Sequence, residues 1–157
     1  MDQSVLVVRF LVTVLLAGLV GTGAMTLLMS FITRSGMANA DMVRAIGSAF
    51  TGSLDRALLV GGTLYATGGI VFAVLYTLVL GFLSVEGFWL TVVASTLLGF
   101  VHGFVMSFIL VVAVAERHPV DRFREAGFAV AFVHLAGHVA YGLGVGLVLG
   151  IRGLAIA

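Results

Sequence analysis

A stretch near the C-terminal end of the chain decides the fold: Gly127–Ile151, with the sequence GFAVAFVHLAGHVAYGLGVGLVLGI. It carries no charged residue, and a helix that spans a bilayer needs about 20 mostly apolar residues. Its glycines at positions 142, 146 and 150 recur every fourth residue, which is the spacing typical of close helix packing in membranes. The stretch therefore predicts a membrane-spanning helix with a packing face of glycines.

Three further apolar runs precede it, at Phe10–Ile32, Ala57–Leu83 and Phe88–Ala115. All eight arginines and all seven acidic residues lie outside the four runs. The alternation of apolar and polar residues that marks a membrane β-barrel is not found in the sequence. We therefore predict an all-α integral membrane four-helix bundle, a single transmembrane domain over residues 1–157.

The composition excludes other classes of protein. The chain is 61% hydrophobic and 10% charged, whereas soluble domains average about 45–50% and about 25%. A net charge of +1 provides no basic surface for nucleic acid. The absence of cysteine from the sequence excludes disulfides and thiolate metal sites. We expect the lipid bilayer as the chain's environment and no nucleic acid as a partner.

The arginines are distributed unequally between the two ends of the runs. Six lie between runs one and two or between runs three and four, and two lie at the opposite ends. The positive-inside rule predicts that the two arginine-bearing loops are cytoplasmic, with both termini outside a bacterial inner membrane. The six are Arg34, Arg44, Arg56, Arg117, Arg122 and Arg124, and the two are Arg9 and Arg152.

The first arginine-bearing loop contains one predicted element. Asp41 is a good helix N-cap, and apolar residues recur at helical spacing from Met42 to Phe50. This pattern predicts a short interfacial helix on the membrane surface; an ordinary connector is the alternative. The second loop, residues 116–125, is predicted to be a solvated turn, because His118 precedes the single proline among mixed charges.

Small residues at four-residue spacing also occur in the other runs, and they predict faces where helices approach closely. The third run has Ser95, Gly99, Gly103 and Ser107, the first has Ala17 and Gly21, and the second has Gly62 and Ala66.

Three histidines lie within the runs, and histidine at membrane depth usually faces the bundle interior. His102 and His138 lie near the middle of the third and fourth runs, so they share a depth. His134 lies one turn from His138, with Tyr141 about 20° from it around the helix. Counting from the predicted cytoplasmic ends adds four residues at similar depth, with Met29 nearby: Met25, Thr26, Tyr65 and Met106.

The sequence therefore predicts one interior polar site. The candidate cofactor-binding residues are His102, His134, His138, Tyr65 and Tyr141, and the candidate metal ligands are His102, His134, His138 and Met106. Plainer interpretations remain open: buried histidines and tyrosines can serve as interhelical hydrogen-bonding groups, and methionines can be core packing. No carboxylate lies at this depth in the sequence, so paired-acid and Ser-His-Asp catalysis lack their components. A non-catalytic subunit is favoured over an enzyme.

Several short motifs resemble a family of small, functionally uncharacterised bacterial inner-membrane proteins with four spans. The motifs are Thr22–Met29, Ile70–Tyr76, Gly99–Gly103 and Gly137–Gly142, the last with the pattern Gly-His-x-x-Tyr/Phe-Gly. The resemblance covers most of the chain and implies the fold, the short helix after the first span and the importance of His102 and His138. It implies no activity. In that family the second span often has a histidine at the position of Tyr65.

Three functions are compatible with the sequence. The first is a membrane subunit whose histidines hold heme b, or another redox cofactor, within an electron-transfer complex. Helices packed 8–10 Å apart are too close for a heme between His102 and His138, which would require diagonal helices or a ligand from a partner chain. The second is a cofactor-free structural or assembly subunit that docks other membrane subunits or self-associates. The third is a small transporter or channel for a soft metal such as Cu(I), using histidines and methionines.

Overall fold

The computed structural model describes residues 2–110, 117–124 and 127–154. These residues form five α-helices and no strand, so the predicted all-α fold is confirmed. Four of the helices are long and apolar enough to cross a membrane, and the chain is a multi-pass membrane protein. The helices are α1 (Gln3–Arg34), α2 (Met42–Thr51), α3 (Ala57–Phe82), α4 (Phe88–Ile109) and α5 (Phe128–Arg152), with a 3₁₀ turn at Asp121–Phe123.

The helix bounds agree with the apolar runs except at α1. That helix starts at Gln3, seven residues before the predicted run, and its 32 residues correspond to about 48 Å at 1.5 Å per residue. The Asp2 carboxylate caps it by accepting from the Ser4 N–H at 3.2 Å. The difference arises because the charged Arg9 bounds the predicted run, whereas helical backbone hydrogen bonding continues through Arg9 into the apolar residues before it. The predicted end of the third run, residues 111–115, lies outside the described residues.

The short helix after the first span is present as predicted, and Asp41 is its N-cap. The Asp41 carboxylate accepts from the Arg44 N–H at 3.3 Å, and Gly52 ends the helix with φ of 71°. α2 packs closely on α3: a Cβ on Gly47 or Gly61 would overlap backbone atoms of the opposite helix. The helix is therefore joined to the bundle along one face, while Phe50 on another face is 74% exposed.

The glycine faces of α4 and α5 contact each other, as the spacing predicted. A Cβ on Gly99 would lie 2.5 Å from the carbonyl oxygen of His138, and one on Gly103 would lie 2.6 Å from the His138 Cβ. On the opposite side of α5, a Cβ on Gly144 would lie 3.0 Å from the Cα of Gly21 in α1. α5 is therefore the central helix, packed between α4 and α1.

Within this chain, the face of α3 with Gly62 and Ala66 is not the face that packs on another helix. Gly62 has open space where a Cβ would lie, whereas a Cβ on Gly69 would overlap Thr22 of α1. Ala66 is half-buried, whereas Ala73 is fully buried. Small residues occur at four-residue spacing on two sides of α3, and the side that packs is the one with Gly61, Gly69 and Ala73.

The two arginine-bearing loops lie at one end of the bundle, and the start of α1 and the end of α5 lie at the other end. Asn39 donates to the carbonyl oxygen of Arg122 at 3.2 Å, which joins the two loops. At the opposite end, Arg9 of α1 donates to the carbonyl oxygen of Arg152 at 2.8 Å. The start of α1 and the end of α5 therefore lie on the same side of the membrane.

The second loop is more than the solvated turn that was predicted, because His118 is 2% exposed. Its Nε2 lies 2.9 Å from the carbonyl oxygen of Ala45 in α2. Arg124 donates to the His118 carbonyl oxygen at 2.8 Å. The imidazole becomes buried because α2, which is distant in sequence, provides both an acceptor and a covering surface.

Candidate functional site

The structure brings the three membrane histidines together inside the bundle. The ring centroids of His102 and His138 are 4.5 Å apart with an edge-to-face angle of 82°. The His134 and His138 centroids are also 4.5 Å apart. The glycines of the α4–α5 seam allow this approach, because a side chain at Gly99 or Gly103 would separate the two helices. The result is a compact imidazole cluster, His102–His138–His134.

Tyr76, which is not among the residues predicted from the sequence, belongs to this cluster. Its hydroxyl lies 3.2 Å from the His102 Nδ1, and its ring packs edge-to-face on Tyr141 at 5.6 Å. Phe72, one turn earlier on α3, covers the His102 ring at 4.0 Å. Tyr76 lies eleven residues after Tyr65, which is about three helical turns. That spacing was a signal that both tyrosines share a face of α3.

The two tyrosines that were predicted make interhelical hydrogen bonds. The Tyr141 hydroxyl donates to the carbonyl oxygen of Gly69 at 2.6 Å, which ties α5 to α3. The Tyr65 hydroxyl contacts the Met29 sulfur at 3.5 Å, which ties α3 to α1. Both phenol groups therefore position helices around the cluster, as the plainer interpretation of these residues expected.

A cavity of about 150 Å³ lies beside the imidazole cluster, and we call it the inner cavity. Tyr65 lines it from α3, and five candidate site residues line it from α4 and α5: His102, Met106, His134, His138 and Tyr141. Thr22 and Met25 line it from α1. Thr26 and Met29, predicted at the same depth, instead line a separate cleft near the Arg44 end of α2.

Three buried polar atoms in the lining have no hydrogen-bond partner within the part of the chain that the structure describes. They are the Thr22 Oγ1, the His102 Nε2 and the His134 Nδ1. His134 is 6% exposed, so its free nitrogen is buried. An unsatisfied buried polar atom costs about 1–3 kcal/mol. Three such atoms around one cavity indicate that something polar completes their interactions.

The protonation of His138 follows from its contact with the preceding turn. Its Nδ1 lies 3.0 Å from the carbonyl oxygen of His134, and a carbonyl only accepts hydrogen bonds. The Nδ1 of a neutral His138 must therefore carry the proton, which leaves the lone pair on Nε2. A backbone bond of this kind orients the ring and prepares the second nitrogen as an acceptor or a ligand.

A second cavity of about 210 Å³, the outer cavity, lies between α2, the second loop and the ends of α4 and α5. Ile46, Met106 and His134 line both cavities. The outer cavity also reaches His118 and Arg122 in the loop. The three shared residues lie between the outer and the inner cavity, and we call them the constriction.

The other half of the bundle is filled by side chains. Leu80, Val145 and Leu149 are fully buried there, as is Thr77. The Thr77 hydroxyl is satisfied by the carbonyl oxygen of Ala73 at 2.8 Å. Packed side chains therefore separate the inner cavity from the end of the bundle opposite the arginine-bearing loops.

The geometry does not fit a heme between His102 and His138. A metal–imidazole bond of about 2 Å on each face of the iron would place the two ring centroids roughly 6 Å apart in line, whereas these rings meet edge-to-face at 4.5 Å. The inner cavity, at about 150 Å³, is also smaller than the roughly 300–1,000 Å³ of pockets for larger organic ligands.

A metal site of nitrogen and carboxylate donors alone does not fit either. Among the described residues, no group of three or more histidines or acids is arranged to hold a metal ion. Comparison of the chain with protein-family models, with curated proteins and with solved structures gives no match.

Proposed function

We propose that the chain is a small integral-membrane binding subunit. It holds a small polar or ionic species in the inner cavity and exchanges that species with one side of the membrane. The observation that carries this proposal is the set of unpartnered atoms on Thr22, His102 and His134 around one shared cavity. A purely structural histidine cluster satisfies its own polar groups, because unsatisfied ones cost more than apolar packing.

The size of the cavity supports a small occupant. About 150 Å³ holds roughly five water molecules at about 30 Å³ each. An ion or a small polar molecule with a few waters fits this space. The residues that would bind it are His102, His134 and His138, with Thr22 and Tyr65 at the wall. This proposal includes neither heme nor electron transfer.

The residues shared by the two cavities support exchange of the bound species with one side of the membrane. We propose that this side is the cytoplasm, with the chain in a bacterial inner membrane and both termini outside, because both arginine-bearing loops lie at the outer-cavity end and the positive-inside rule places such loops in the cytoplasm. The lipid-facing surfaces of α3 and α4 carry large exposed side chains such as Leu59, Phe82 and Trp89. These surfaces are available to lipid and to other membrane subunits.

The experiment that tests this proposal uses the absence of native cysteine. A Met106→Cys variant places one thiol at the constriction, and a Leu98→Cys variant places one on the same helix, half-buried and nearer the other end. A small, charged methanethiosulfonate reagent is added to spheroplasts or to inverted membrane vesicles. Such reagents modify thiols that water reaches, because the thiolate is the nucleophile.

We expect the Met106→Cys thiol to react in inverted vesicles and not in spheroplasts, and the Leu98→Cys thiol to react in neither. Replacing His134 by alanine should change the rate at which the reagent modifies the Met106→Cys thiol, because both residues belong to the constriction. A Met106→Cys thiol that is inert from both sides, or equally reactive from both, would refute a binding site with access from one side.

A further inference from the structure

We infer that the species held in the inner cavity is a soft monovalent metal ion, Cu(I), bound by imidazole nitrogens of the cluster together with the thioether sulfurs of Met25 and Met106. This inference rests on the proposed function and names its ligand class. Such an ion requires ligand atoms that select soft metals and surroundings that disfavour divalent ions. It also requires ligand atoms along its path into the cavity.

The donor set combines two kinds of neutral ligand. Met25, which is 4% exposed, and Met106 line the inner cavity with the three histidines. Thioether sulfur selects Cu(I) over harder ions, and imidazole binds copper well. The hydrogen bond from the His138 Nδ1–H to the backbone leaves the His138 Nε2 as a metal ligand. The His134 Nδ1, which has no hydrogen-bond partner among the described residues, is a further candidate ligand.

The surroundings of the cavity favour a monovalent metal ion over a divalent one. Its described lining consists of uncharged residues only, and the carboxylates of the chain lie outside the spans. The cost of burying an ion in a medium of low dielectric rises with the square of its charge. A divalent ion without a carboxylate ligand therefore pays about four times the desolvation cost of Cu(I), which thioether and imidazole bonds can offset.

Methionines continue along the route from the membrane surface. Met42 of α2, 5% exposed, lines the outer cavity, Met106 lines both cavities, and Met25 lines the inner one. Cu(I) can transfer between sites by exchanging one soft ligand at a time. This arrangement gives the ion a sulfur donor on each side of the constriction.

Two of the remaining methionines provide contrast within the same chain. The Met29 sulfur is already contacted by the Tyr65 hydroxyl at 3.5 Å and lies beside a different cleft. Met37 is 70% exposed in the first loop. Soft-metal binding should therefore depend on Met25 and Met106 and not on Met37.

The test is direct metal binding by the purified full chain in detergent. Cu(I) is supplied under a reductant together with a coloured Cu(I) chelator of known affinity, and Ag(I) is used in parallel because it does not change oxidation state. We expect one retained ion per chain. Met25→Leu and Met106→Leu should each weaken competition with the chelator by at least tenfold, since Leu and Met are nearly equal in volume. Met37→Leu should bind like the parent.

X-ray absorption at the copper edge provides the second readout. We expect both sulfur and nitrogen scatterers in the parent, and loss of the sulfur contribution in the Met25→Leu, Met106→Leu double variant. Unchanged affinity in that double variant, or retention of Zn(II) as tight as that of Cu(I), overturns the inference. If no Cu(I) is retained while the Met106→Cys thiol still reacts from one side, the ligand class is wrong and the binding site stands. If both experiments fail, both proposals fall.

Discussion

The substitution Gly99→Ala should open the seam on which the imidazole cluster depends. The added Cβ would lie 2.5 Å from the carbonyl oxygen of His138 and 3.1 Å from the Cα of Gly142. Both are backbone atoms, so no side-chain rotation relieves the overlap. Ordinary contact between such atoms begins near 3.5 Å, and α4 must therefore move away from α5 by roughly 1 Å. Overpacking of this kind costs about 1–3 kcal/mol.

Gly62→Ala is the matched control, because a Cβ at Gly62 meets nothing within 4 Å. Both substitutions exchange glycine for alanine in a spanning helix, so the gain in helix propensity, at most about 1 kcal/mol, is common to them. Reversible unfolding in mixed micelles should show Gly99→Ala less stable than Gly62→Ala by about 1–3 kcal/mol. Equal stability of the two variants would refute the close packing of α4 on α5.

Three further outcomes are expected. Reporter fusions should place the loop that contains Arg44 in the cytoplasm, and a periplasmic signal there would reverse the proposed orientation. His118→Ala should destabilise the chain by about 1–3 kcal/mol, because the carbonyl oxygen of Ala45 loses its partner in a buried site, and hydrogen exchange should rise in α2 more than in α5. Tyr76→Phe should cost about 1 kcal/mol through loss of the contact with His102; equal stability of the Tyr76→Phe variant and the parent would show that this hydrogen bond contributes no net stability.

The span pattern and one helix seam could be predicted from the sequence because both are local periodicities. Charge-free runs define the spans, and glycine at every fourth position on both α4 and α5 defines the seam between Gly99 and Gly142. The same reasoning failed on α3, where two sides of the helix carry small residues. Which side packs depends on the position of Thr22 in α1, and this is a tertiary fact.

The part of the site that could be predicted from the sequence is the part that depends on depth along each helix. His102, His134 and His138 were selected as histidines within the spans, because His102 and His138 share a depth and His134 lies on the same helical face as His138. Tyr76 was missed because it lies about three helical turns beyond Tyr65 on α3, outside the depth at which candidates were sought. Its long side chain nevertheless reaches His102 from a neighbouring helix. His118 was missed because its burial depends on α2, 73 positions away in the chain.

The helices of this bundle are joined in two unlike ways, which has a mechanical consequence. Main chains approach main chains through glycine from α4 to α5, from α5 to α1 and from α1 to α3, where a Cβ on Gly18 would lie 2.6 Å from the Cα of Ile70. α3 meets the described part of α4 only slightly, mainly through the rings of Phe72 and Tyr76 against His102, and side-chain rings can rotate. The series of close backbone contacts is therefore open between α3 and α4, and motion that loads or empties the inner cavity is expected at this joint, where His102 lies.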